Sequence, residues 1–150
     1  MNRFLRAITA GVAATTILSL IFLFSQVQTR SQLGAPEAIA RFVGMPDQHV
    51  VGFLIFAAAG IFVWPVVFVF AQGALAQLPG GNDVAMRGMI FGLLLWVAFL
   101  VLGTGELTWP FIILYLFFTL VGHLAYGFTL GFGYERMGTS RTTNQQTSTQ

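Results

Sequence analysis

Two histidines and a few carboxylates are the groups in this 150-residue chain with chemistry to offer near neutral pH. His123 stands inside a long apolar stretch, where a titratable ring needs either a partner or a wet cavity and suits proton relay or ligand binding. Asp47, His49 and Glu106 flank other apolar stretches on what reads as one outer face. Two carboxylates and an imidazole form a donor set for a divalent metal, but their spacing follows no metal motif, so no metal is assigned. A haem clamped by two histidines needs both at one level, and helix rise sets His49 about 20 Å above His123. One chain therefore does not clamp it, although His123 of two copies could. Cysteine is absent, which removes disulfides, iron–sulfur clusters and thiolate chemistry. The chain has no HExxH, no nucleophile with a base at usable spacing and no glycine-rich phosphate loop. The expectation is a protein without enzymatic activity and without a cofactor.

The elements that position these residues are written in the composition. With 56 % hydrophobic and 8 % charged residues and a mean hydropathy of +0.79, the chain cannot close into a water-soluble globule. Its solvent is lipid. Four apolar stretches, at about 7–26, 50–71, 84–103 and 110–133, each approach the length that crosses hydrocarbon. The first follows Arg3 and Arg6 but ends without a small-x-small cleavage site, so it reads as an uncleaved helix. The fold class is an all-α integral membrane protein whose four transmembrane helices form two repeated helical hairpins. Arg6 precedes Gly11 by five residues, Arg87 precedes Gly92 by five, and a histidine marks the second and fourth stretches. Two-span repeats would be parallel, related by an axis along the membrane normal. The four-helix domain covers residues 1–136, and the Thr/Ser/Gln/Asn-rich segment 137–150 reads as a disordered polar tail.

Orientation follows from the arginines. Arg3, Arg6, Arg87, Arg136 and Arg141 lie on one face and only Arg30 and Arg41 on the other, which predicts a multi-pass protein of the inner (plasma) membrane with both termini cytoplasmic. The formal charge of +2 gives no reason to expect nucleic acid. In the outer loop, Pro36-Glu37 opens a short helical pattern with Ile39, Phe42 and Val43 on one face, closed by Gly44 and Pro46. It reads first as an interfacial connector and second as a lid over an outward cavity. In the inner loop Asp83 is placed to cap the third helix, and Arg87 to reach headgroups.

Pro65 carries no amide hydrogen, so a regular helix would leave the carbonyl of Ile61 without a donor and kink there. Counting inward from the helix ends puts Ile61 and His123 at similar depth, which predicts that the imidazole satisfies that carbonyl. Gly127 and Gly131, like Gly88 and Gly92, form small-xxx-small pairs, and with Gly122 they mark helix faces built for close approach. The leading expectation for function is a structural or accessory subunit that packs by these faces into a homo-oligomer or a larger membrane complex, with the bilayer as the obligatory partner. A transporter or channel for a small, weakly polar solute is the alternative from another class, and a metal- or haem-binding membrane protein is the third.

Gly122-His123-Leu124-Ala125-Tyr126-Gly127, followed by Leu130-Gly131 and Tyr134, resembles the closing segment of a family of small four-span bacterial and archaeal membrane proteins whose function is not established. The Arg87-x4-Gly92-Leu93 opening of the third stretch is similar to that family too. The resemblance implies four helices and a repeated hairpin over nearly the whole chain, and no catalytic residue.

Overall fold

A computed structural model of the chain describes residues 2–28, 35–100, 109 and 111–146, and every regular element among them is helical. Helix α1 is Arg3–Gln28, α2 is Ala35–Phe42, α3 is His49–Ala58, α4 is Trp64–Leu75, α5 is Val84–Leu100 and α6 is Phe111–Gln146. A π-helical turn, Ala59–Val63, joins α3 to α4, so that His49–Leu75 is one continuous rod. Three segments are long and apolar enough to cross a membrane: Arg3–Ser25, His49–Leu75 and Phe111–Gly138. Helix α5 is apolar but shorter, 17 residues, and the expected end of its stretch at residue 103 lies outside the described residues.

The last helix differs from expectation. It does not stop near Gly133 before a disordered tail but continues to Gln146, beyond the expected boundary at residue 137. No proline interrupts this segment, and extending a formed helix requires only one further residue to be fixed per hydrogen bond, without a new nucleus.

Packing is organised around α6. On α1, residues 7, 10, 14, 18, 22 and 25 recur every three or four positions and are all buried, giving a stripe that faces α6 and the π turn. Gly122 meets this stripe at Leu18 and Phe22. On its other side α6 lies against α5 with almost no side chains between. A Cβ at Gly88 would fall on the carbonyl oxygen of Gly127, and one at Gly127 would fall on that of Gly88. Gly92 stands likewise against the carbonyl of His123, and Gly131 against the backbone at Val84 and Ala85. The two small-xxx-small pairs thus face each other, and dispersion contacts between bare backbones hold the seam.

Helix α2 stops at Gly44, whose φ of 78° is the left-handed conformation of a helix C-cap, with Met45 N–H bonded to Ala40 O at 2.8 Å. It is docked on α3, since a Cβ at Gly52 would meet the Pro36 carbonyl. At the other end, Asp83 Oδ1 accepts from Met86 N–H at 2.9 Å and caps α5. Arg87 does not pair with Asp83. Its guanidinium turns back to the loop and donates to Gly81 O at 2.6 Å and to Gln72 Oε1 at 3.0 Å, fastening α5 to the end of α4.

Candidate functional site: a cavity floored by His123

The rod His49–Leu75 departs from regular helix because of Pro65. In the π turn each amide reaches one residue further back than in an α-helix, and Trp64 N–H bonds to Ala59 O. By the same register the carbonyl that Pro65 would have served is Gly60, not Ile61. Tyr126 supplies the missing donor: its hydroxyl, on α6, donates to Gly60 O at 2.7 Å, and the side chain is fully buried. The carbonyl expected to bond to His123 is therefore displaced by one residue and served by a tyrosine three positions further along α6. The kink expected at Pro65 is expressed as this π turn. Helix α1 closes in from the other side, where Gly11 lies against the Pro65 ring and the carbonyls of Gly60 and Ile61.

His123 is oriented within its own helix. Its Nδ1 lies 2.7 Å from Thr119 O, and because a carbonyl only accepts, Nδ1 carries the proton and donates. The lone pair is then on Nε2. The ring sits between Phe99, 5.1 Å away by centroids, and Phe22, at 6.2 Å. Thr119 is itself anchored: its hydroxyl donates to Tyr115 O at 2.6 Å and accepts from Trp96 Nε1 at 3.1 Å, which ties α5 to α6 beside the histidine.

Beside His123 lies a cavity of about 360 Å³. Helix α3 and the Leu100 end of α5 stand apart, whereas α4 and α5 meet where the Phe68 and Phe91 rings lie 5.4 Å apart. The space between α3 and α5 is floored by His123, Tyr126, Gly60 and Leu18 and walled by Phe56 and Phe99. Phe42 at the end of α2, Val43 just beyond it, and Ile55 and Trp64 of the rod stand at its mouth, each substantially exposed. Ile39 and Phe42 of α2 and the adjoining Val43, the face read from sequence, thus join the cavity wall. Among the described residues, none that lines it is charged.

The other residues singled out from sequence are not gathered here. His49 is exposed and lies 3.4 Å from Glu37, Asp47 is exposed, and Glu106 falls outside the described residues. Among the described residues no three metal-ligating side chains come together. Sequence reasoning missed Tyr126 as the partner of the π turn and Thr119 as the anchor of His123. The i, i+4 spacing of Thr119 and His123 was available as a signal. The Tyr126 contact was not, because it depends on the π register.

The chain matches a family of unknown function, DUF6789, over residues 1–145. It belongs to that family. None of the curated proteins compared with it and none of the solved structures gives a match. The DUF6789 match covers both the cavity and the glycine seam, so the two lie within the unit that defines the family.

Proposed function

We propose that this DUF6789 protein is a non-enzymatic, multi-pass protein of the plasma membrane that takes a small apolar molecule from the bilayer into the cavity between α3 and α5. The observation that carries this reading is the cavity: about 360 Å³, within the range of small-molecule sites, apolar in its walls, open between exposed apolar side chains and bearing a buried, oriented histidine at its floor. Four spans and both termini in the cytoplasm belong to the same reading. At 1.5 Å per residue α5 is about 25 Å long, enough to cross most of the hydrocarbon when its ends are held by Arg87 and the outer loop. The correspondence between halves supports the repeated hairpin: the glycine five residues after each arginine, Gly11 or Gly92, lies against backbone carbonyls of its own hairpin partner.

Assembly with a partner, the leading expectation from sequence, draws no support from the glycines. Gly88, Gly92, Gly122, Gly127 and Gly131 are all occupied by contacts within the chain. The channel reading is weakened in the same way, because Thr119 and Thr129 turn their hydroxyls onto carbonyls of their own helix and Gln72 is engaged by Arg87.

The test is extraction of the protein in mild detergent, with mass spectrometry of the small molecules that accompany it. An apolar compound retained by the wild type and lost from Ala59→Phe, which puts a ring into the cavity, is expected. Identical extracts from the two proteins would defeat the proposal.

A further inference from the structure

Resting on that reading of the cavity, we infer that its occupant is a lipid-soluble phenol, of which the quinols are the membrane-borne example, with a ring hydroxyl donating to Nε2 of His123.

The argument begins with the proton on the imidazole. Thr119 O fixes it on Nδ1, leaving Nε2 as an acceptor with no way to become a donor except by taking a second proton. His123 is only 7 % exposed and lines the cavity, and no donor among the described residues bonds to Nε2. An acceptor that faces an apolar cavity has no partner until one enters, so the complementary ligand brings a hydroxyl or N–H donor. The second polar group on the floor, the Tyr126 hydroxyl, has given its hydrogen to Gly60 and is likewise left with accepting capacity only. Neither polar group of the floor therefore has a hydrogen left to donate.

The walls set the remaining properties. With no charged side chain among the described lining residues, an ionised occupant would lose its hydration and gain no counter-charge from them, so the ligand is neutral. The same point disfavours haem, whose carboxylates need cations or water along one edge. Phe56, Phe99 and, at the mouth, Phe42 and Trp64 present ring faces and edges suited to a flat aromatic head group. The mouth, open between exposed apolar side chains, gives an alkyl tail a route into the bilayer while the ring stays inside. A neutral ring with a hydroxyl donor and an apolar tail meets every one of these conditions, whereas a quinone, which only accepts, fails the first.

The full chain reconstituted in lipid nanodiscs tests this with a matched pair of probes under anaerobic conditions, decyl-ubiquinol and decyl-ubiquinone, which differ in the two hydroxyl hydrogens. Binding is read by quenching of tryptophan emission, Trp64 standing at the mouth. The quinol is expected to bind at least ten-fold more tightly than the quinone. His123→Phe, which keeps a ring between Phe22 and Phe99 but removes the acceptor, should bring the quinol down to the quinone's affinity, and Ala59→Phe should abolish both. Equal affinities of the two probes for the wild type overturn the phenol assignment while leaving the cavity as a binding site, provided Ala59→Phe still abolishes them. Failure of both probes to bind overturns the assignment too, and extracts that do not change with Ala59→Phe then remove the binding function itself. A Soret band in the purified protein that disappears in His123→Phe would replace the phenol by haem. The wild-type comparison decides the question even if a variant does not fold.

Discussion

The hydroxyl of Tyr126 donates to the carbonyl of Gly60 over 2.7 Å, joining two helices across 66 positions of sequence. Gly60 is the carbonyl that Pro65 cannot serve once the π turn has shifted the register by one residue. Helix irregularity and tertiary contact are thus two halves of one hydrogen-bond account, closed inside a medium that offers no water.

Tyr126→Phe should therefore destabilise the protein by about 1–3 kcal/mol, the cost of leaving a buried acceptor unpaired. In a Pro65→Ala background the penalty should shrink, because the alanine amide restores an intrahelical donor. Chemical denaturation of the four proteins of the cycle in detergent measures both values. Equal penalties in the two backgrounds would show that the tyrosine and the proline are uncoupled.

Substituting leucine at Gly88 or Gly127 should separate α5 from α6 and cost about 1–3 kcal/mol through overpacking. Gly73→Leu is the matched control, since a Cβ there meets nothing within 4 Å. Thermal melts that rank the three variants alike would contradict the seam.

Arg87→Lys should loosen the inner loop, although the charge is kept. The guanidinium fork reaches a loop carbonyl and Gln72 Oε1 together, which a single ammonium cannot reproduce with the same reach and geometry. A loss of about 1 kcal/mol is expected, with faster proteolytic cleavage between residues 77 and 83. Unchanged cleavage would mean that the loop holds its shape without the arginine.

Reporter fusions address orientation. A carboxyl-terminal fusion should report cytoplasm and one inserted near Arg30 should report the opposite side, following the five-to-two division of arginines. An external signal from the carboxyl-terminal fusion would invert the depth scale used for His49 and the cavity.

Much of this architecture was legible because lipid imposes a simple rule on composition. Long apolar runs had to become helices, and the glycines at spacing four had to mark close approaches, since a bare backbone has no other use there. The caps at Asp83 and Gly44 were legible for the same local reason. The partner of the broken carbonyl was not. Its identity turns on a one-residue change of hydrogen-bond register that Pro65 makes available but does not dictate, and a depth count by helix rise cannot tell His123 from Tyr126 three residues away. The end of α6 escaped as well: polar composition argued for an unfolded tail, while the helix runs on through Gly138 with no proline to stop it.

Synthesis proceeds from the amino terminus, so the carbonyl of Gly60 enters the bilayer well before the tyrosine that will serve it has been made. The first hairpin is then a receptor awaiting its own chain: α1 and the π turn present a bare acceptor beside Gly11 until α6 arrives. Docking of the last helix is the step that completes the first half, and a truncation after α5 would leave a fragment with its helices formed and an unfinished interior.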